Sequence, residues 1–504
     1  MSVAQAKSKS AAVRERIGHP VIDADGHWLE LHPVYFEYVR EFVSARDTDQ
    51  FRREFGERMA HWYRASPEER QHTRMRRPTF WGLPTRTRDR AAGIIPSLFR
   101  ERMDEWGIDV SLLYPSMGFT MARDTPHKPE LVSGLVRAYN AMVADIFKPH
   151  GARLLAAGIV NISEPGEAIA QLEHAHSLGL KLVTVGGAIP RTVEADAAWQ
   201  PDPNKRRVYI DGLGLDSPHD YDPVWQKFVD FNMPVVSHLG SIGWPDRSSP
   251  SNFVYNHIGH FGQAHHTFAR SLFLGGVTQR FPTLNFAFLE GGVGWACNLY
   301  SDLFGHWEKR NRKFMLENLK PTNVDSVQMR RLLEKYAVQD RCFQGKIDDI
   351  MERNLDTLEP DITPEELAQR NLGATLDDFR NVRIENKHEI RPLFANNFYF
   401  GCEADDPMTA VAFDSRLRLK LKPMLGSDIS HFDVVDPAEV VEEAWELVEH
   451  GLIREQDFRE FTFTNAVQCY GSMDKDFFKG TVIEHAAASE LPLAQARNFG
   501  KSGD

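Results

Sequence analysis

The sequence predicts an α/β protein: a (β/α)8 TIM-like barrel with helical insertions after its first and sixth strands. Three observations carry that prediction. Eight short, nearly continuous apolar runs alternate with helical segments along the 504 residues, the pattern of parallel strands buried on both faces. No glycine-rich dinucleotide turn follows the first run, where DADGHWLE stands instead, so an open doubly wound sheet is the weaker choice. Several runs end in carboxylate or imidazole groups, and in a closed barrel the functional residues come from the carboxyl ends of different strands.

Residues 1–19 are polar and read as a loose arm. The first strand starts at Val21 and Ile22, and strict alternation along it puts Asp23, Asp25 and His27 on one face. A charged stretch over about 31–104 has aromatics at helical spacing (Tyr35, Phe36, Tyr38, Phe42). A structureless loop of that length is uncommon in a compact domain, so this reads as a mostly helical insertion. EWGIDVSLLYPS holds the second strand, followed by a helix from Pro129 to Lys148. RLLAAGIVNI is the third strand, and a helix from Glu164 to Leu178 ends at Gly179, the residue type that closes helices. LKLVTVGG, MPVVSHLGS and FPTLNFAFLEGG are strands four, five and six. A charged, irregular insertion at about 320–392 precedes NNFYFGC, the seventh strand, and KPMLGSDISHF, the eighth. Two amphipathic helices, Pro437 to Glu449 and Glu455 to Tyr470, finish the core. The barrel therefore spans 20–488, and 489–504 is a tail.

A formal net charge of −12 argues against a nucleic-acid groove. No apolar run is long enough to cross a bilayer, and the start lacks the apolar core of a secretory signal, so a cytoplasmic location is expected. Cys297, Cys342, Cys402 and Cys469 are too scattered for a disulfide framework or a zinc knuckle. The expected partners are a small-molecule substrate and a second copy of the chain, with neither nucleic acid nor membrane.

Strand ends supply Asp25 and His27 from the first strand and His238 from the fifth. Glu290 comes from the sixth, and Asp428 with His431 from the eighth. Each alone has a plainer reading: the Asp residues of the first strand cap a turn, His238 is a satisfied core histidine, Asp428 caps a helix. Glu290 resists one, because a carboxylate closing the run LNFAFL has to be paired or coordinated once buried. Together they make a shell of imidazoles and carboxylates for one divalent ion per chain, with groups to spare for a base or a second ion. The shell is oxygen-rich, which suits Mn or Fe at least as well as Zn. His257 and His260, three apart, are candidates for a second metal or for supporting contacts, or belong to a polar helix over the barrel mouth. Phe80, Trp81 and Tyr114 are candidates for a substrate-pocket wall, with core packing as the alternative for each.

VIDADGHWLE, RAYN with ARLLAAGIVNI, MPVVSHLGS, RFPTLNFAFLEGGVGW, GSDISHFD and TNAVQCYG together resemble the amidohydrolase superfamily. The nearest branch is the amidohydrolase-related one that includes the aminocarboxymuconate-semialdehyde and resorcylate decarboxylase types, and the likeness runs from about Val21 to Tyr470. It implies that Asp25 and His27 occupy the acid-x-His metal position and His238 that of the fifth-strand ligand. Asp428 falls where the family has the aspartate that binds metal and handles a proton. Glu290 stands where several of the decarboxylases have a catalytic histidine, and strand four lacks the lysine that is carbamylated in dinuclear hydrolases. The expected function is metal-dependent hydrolysis or decarboxylation of a small organic substrate, with Asp428, His431 and Glu290 as catalytic groups. The alternatives are an O2-dependent monooxygenase with a dinuclear Fe or Mn site and a non-catalytic partner subunit.

Overall fold

A computed structural model describes residues 7–79, 82–116, 118, 129–193, 208–320, 323–354, 377–417 and 420–499. The chain divides into two compact units, Met1–Leu299 with Pro392–Asp504, and Tyr300–Arg391.

The first unit contains eleven strands among the described residues. In chain order they are β1 (Ile22–Trp28), β2 (Val110–Pro115), β3 (Leu154–Ala156), β4 (Gly158–Val160), β5 (Val183–Val185), β6 (Ile189–Thr192), β7 (Val208–Asp211), β8 (Val235–Ser237), β9 (Phe286–Phe288), β10 (Phe398–Cys402) and β11 (Pro423–Leu425). Most are short, apolar and buried on both faces, as in VTV, VVS and FAF of β5, β8 and β9, which is why their sequences run apolar without alternation.

Two parallel ladders result, β1-β2-β3 and β4-β5-β8-β9-β10-β11. Ala157 joins them: its N–H donates to Leu113 O at 2.8 Å, and the next residue, Gly158, donates to Leu182 O at 2.9 Å. One run of chain thus changes partners between β2 and β5, so β3 and β4 are two halves of the third predicted strand. At the other margin the ladders stop, and two backbone hydrogen bonds join β1 to residues just beyond β11. Asp428 N–H donates to Asp25 O at 2.9 Å and His27 N–H donates to Ile429 O at 3.1 Å. Gly426 permits this approach, since a Cβ there would stand 2.9 Å from that of Asp25. Ile22, Ala24, Leu112, Tyr114, Val236, Ala287, Leu289, Tyr399 and Met424 share one buried cluster with Phe463, Val467 and Tyr470 of the C-terminal segment.

The segment after β1 is helical: His32–Phe42, Ala45–Arg64, Pro67–Thr73, Thr87–Ile94 and Pro96–Trp106. Its boundaries are written in the sequence. Ser44 and Ser66 accept from the N–H groups of Asp47 and Glu69, Pro67 and Pro96 open the helices that begin there, and Gly107 ends the final helix with φ 72°. The antiparallel pair β6-β7 lies where the sequence reads as a polar link. Arg191 fastens it, donating to Asp211 Oδ2 at 2.6 Å and to the Tyr221 hydroxyl at 2.8 Å. The second unit has its own ion pairs, Arg310 with Asp378 at 2.7 Å and Lys387 with Glu308 at 3.0 Å. Among the described residues no helix is long and apolar enough to cross a membrane.

Candidate metal centre

The pairing of β1 with β2 slips between Asp23 and Gly26. This bulge breaks the alternation that the sequence predicts, because an extra residue in one strand turns the following side chains. Asp23 sits on the side of Gly26 and Ser111: its Oδ2 accepts from Ser111 Oγ at 2.6 Å, and a Cβ on Gly26 would meet both atoms. Its Oδ1 accepts from Ser427 N at 2.9 Å. Contrary to the strict alternation expected from the sequence, Asp23 therefore does not share a face with Asp25 and His27, and its carboxylate instead ties β1 to β2 and to the end of β11.

Asp25 and His27 meet groups from three other strand ends. His238 follows β8, Glu290 follows β9, and Asp428 and His431 follow β11. His238 Nε2 is 2.8 Å from Asp25 Oδ1 and 3.5 Å from Glu290 Oε2. His27 Nε2 lies 3.6 Å from Asp25 Oδ1 and 3.1 Å from Asp428 Oδ1, which is 2.7 Å from His431 Nδ1. The His27 and His431 rings stack at 3.7 Å, while His27 and His238 meet edge to face at 4.9 Å. His431 Nε2 also lies 3.2 Å from Ser116 Oγ. Glu290 and Asp428 hold left-handed backbone, φ 57° and 48°, which aims both carboxylates inward from the turns where their strands end.

Within this cluster most close contacts lack hydrogen-bond geometry. Both ring nitrogens of His27, both oxygens of Asp428 and Oε2 of Glu290 are buried without a hydrogen-bond partner. Among the described residues no lysine or arginine pairs with Asp25, Glu290 or Asp428. Lone pairs that converge without bonding to one another, in a buried and cation-free setting, fit a metal ion. Two overlapping sets have ligand atoms close enough to share one: Asp25, His27, His238 and Glu290, and His27, Glu290, Asp428 and His431.

Charge inside the cluster is divided by burial and by near neighbours. Burial, reinforced by Asp428 and Asp25, pushes Glu290 well above the ordinary carboxylate range. Burial acts on Asp428 the same way, but His431 and His27 more than offset it and hold its pKa well down. His431 is raised because Asp428 outweighs its own burial. Burial and the neighbouring His431 lower His27 to about 4, which leaves a neutral imidazole, the ligating form.

The structure adds two residues that the sequence reading passed over. Glu403, directly after β10, and Asp433, two residues after His431, join Glu290 in a third set of close carboxylates. Burial, then Asp428, raises Glu403 to about 7 and Asp433 to about 8. Glu403 was within reach of the strand-end rule applied to NNFYFGC, one residue further on; Asp433 had no local signal. His257 and His260 are not brought into any of the three sets. Their rings lie 4.5 Å apart, and His260 is buried against Gly240, two residues beyond His238. Tyr114 packs 5.3 Å from the His238 ring and meets the Tyr470 hydroxyl at 3.1 Å, fully buried beneath the centre. Phe80 and Trp81 lie outside the described residues. A small pocket of about 70 Å³ is lined by Ile159, Asn161, Ile162, Ser163, Ala188 and Leu239 among others.

Comparison with known proteins places this geometry in context. The sequence profile of the family described as Amidohydrolase matches residues 22–312. No curated protein matches the chain in sequence. Among solved structures, an amidohydrolase from Mycobacterium avium subsp. paratuberculosis is similar at 17% identity and TM-score 0.48, over 90% of this chain and 98% of that one. The 2,6-dihydroxybenzoate decarboxylase from Rhizobium is similar at 14% identity and TM-score 0.44, over 90% and 98%. A 5-carboxyvanillate decarboxylase from Novosphingobium aromaticivorans, complexed with manganese and 4-hydroxy-3-methoxy-5-nitrobenzoic acid, shares 14% identity at TM-score 0.44, over 90% and 96%.

Proposed function

The chain belongs to the amidohydrolase family, and from that premise we propose that it is a metal-dependent enzyme that hydrolyses or decarboxylates a small, carboxylate-bearing organic substrate. The observation that carries the reading is the set of buried, unbonded lone pairs on His27, Asp428 and Glu290. Asp25, His27, His238 and Asp428 would hold one divalent ion, Mn, Fe or Zn, with Glu290 as a further ligand or orienting group. The eight parallel strands are read as a closed barrel, with the ligands on its carboxyl rim.

A bound divalent ion supplies Lewis acidity, polarising a substrate oxygen or acidifying water toward neutrality. The chain's own groups do the rest. Asp428 Oδ1 lies 2.7 Å from His431 Nδ1 without hydrogen-bond geometry, and from there His431 would pass a proton to or from the reacting group. Ser116 steadies the far nitrogen of His431. Among the described residues no arginine or lysine pairs with the carboxylates of the cluster.

A second reading has one observation in its favour. The two four-residue sets share His27 and Glu290, an arrangement that would serve two ions and O2-dependent hydroxylation. The test is metal analysis on purified protein with turnover of candidate organic acids in air and under anaerobic conditions. On the leading reading, His238→Ala and Asp428→Asn lose metal and activity together, and wild-type turnover is indifferent to O2. Two irons or manganese ions per chain with O2-dependent product would establish the second reading, and unchanged metal content in both variants would remove the assignment of the centre.

A further inference from the structure

We propose that a groove walled by Trp295, Met408 and Asp406, beside the turn that carries Glu290, binds an organic ammonium group, the amine end of a zwitterionic substrate. The inference names the substrate of the reading above more closely and rests on it for the carboxylate end.

The groove has a volume of about 410 Å³, and Gly291, which lines it, directly follows Glu290. It therefore shares one turn with the metal centre. Glycines make its room. A Cβ on Gly262 would stand 3.3 Å from Trp295 Cδ1, one on Gly291 3.2 Å from Trp295 Nε1, and one on Gly294 3.6 Å from Met408 Cε. Side chains at these positions would press on the indole and the thioether that wall the space.

Asp406 supplies the charge. Its Oδ1 accepts from Met408 N at 2.9 Å, while among the described residues Oδ2 accepts from no donor and no lysine or arginine pairs with the carboxylate. Burial raises its pKa, and the charged residue acting on it is Asp405, a second carboxylate. Gly292, at φ 64°, lets the group come close, since a Cβ there would stand 2.7 Å from Oδ2. Gln263, also in the lining, is fully engaged: Oε1 accepts from Ser241 Oγ and Arg247 Nε, and Nε2 donates to Asp246. Arg247 spends its remaining reach on Asn256 O and Ile258 O. Among the described residues that line the groove, the other ionisable side chain is His266, its ring 6.3 Å from that of Trp295.

A half-buried carboxylate without a cation, set beside an indole, suits a ligand that brings its own positive charge. The ring attracts an ammonium through its negative face, and Asp406 provides the counter-charge. A substrate with its carboxylate toward the metal centre and its amine in this groove is held at both ends. A simple organic acid is held at one.

The probe is benzyltrimethylammonium, whose quaternary nitrogen cannot ligate a metal, titrated calorimetrically into full-length protein with benzyl alcohol as the neutral control. A pH of 8 keeps histidine out of the charge balance. Wild type is expected to bind the cation at least tenfold more tightly than the alcohol. Asp406→Asn keeps an acceptor for Met408 N–H and removes the charge, so it should lose that preference, and Trp295→Leu should weaken cation binding by about fivefold or more. In turnover, Asp406→Asn should raise KM for amino acids and leave KM for amine-free acids unchanged. His238→Ala should lose metal yet bind benzyltrimethylammonium as wild type does. The proposal fails if wild type shows no preference for the cation, or if Asp406→Asn retains it, even with metal lost from His238→Ala. Metal retained in His238→Ala would overturn the functional reading, and the zwitterionic substrate with it.

Discussion

Lys422 shows at the scale of one residue how burial sets a charge. Its Nζ donates to Asn396 O at 2.8 Å and to the Tyr399 hydroxyl at 3.1 Å, and sits 4.4 Å above the Tyr399 ring. No carboxylate pairs with it among the described residues, so burial lowers its pKa from 10.5 to about 7. The unfolded chain then binds a proton that the folded chain does not between pH 7 and 10.5. Stability is therefore lost as pH falls through that window and is level below it. The slope attributable to Lys422 is up to about 1.4 kcal/mol per pH unit. Urea unfolding at pH 7.5 and 9.5 should show wild type gaining on Lys422→Met by that slope, and parallel behaviour of the two would refute the assignment. Residue identity alone could not announce this, because Lys422 opens KPMLGSDISHF as any surface lysine might. By contrast Asp25, His27, His238, Glu290, Asp428 and His431 are visible in the text, since each ends an apolar run where a polar group needs a reason.

At the scale of elements, the eight apolar runs were legible because each is too short and too continuous for an amphipathic helix. The bulge in β1 was not, because it depends on which residues of β2 lie opposite. Nor was the β6-β7 pair, whose Arg191, Asp211 and Tyr221 contacts join segments separated in the sequence. The spacing between neighbouring strands is equally a matter of close approach. A Cβ on Gly401 of β10 would stand 2.8 Å from Leu289 Cα and 3.1 Å from Glu290 N, both backbone atoms of the turn that carries the Glu290 carboxylate. Gly401→Ala should leave the fold intact, destabilise it by about 1–3 kcal/mol, and weaken metal binding by displacing Glu290. Thermal unfolding and a metal titration on the same preparation test both halves, and a variant indistinguishable from wild type in each would count against the packing argument.

For the whole molecule, the proposed centre makes metal binding and folding one thermodynamic system. The proposed ligands leave four strand ends, β1, β8, β9 and β11, so an ion bound there would tie together elements that unfolding separates. An ion that binds only the folded state stabilises it by about 2.7 kcal/mol at a hundredfold excess over Kd. A chelator should accordingly lower the unfolding temperature of wild type, with recovery on adding Mn2+, while His238→Ala should show neither response. Insensitivity of wild type to the chelator, after metal removal is verified, would detach the centre from stability.

By itself the sequence determined the alternation of short buried strands with helices, and it marked the polar residues where those strands end. Both follow from local physics, the burial of apolar runs and the cost of leaving a carboxylate without a partner. Only the tertiary structure decided which marked residues meet: Asp23 turned aside to Ser111 and Ser427, His257 and His260 fall outside the three close sets, and Glu403 and Asp433 join Glu290 in one of them. Those outcomes depend on strand register and on contacts between residues hundreds of positions apart, and no local pattern encodes either.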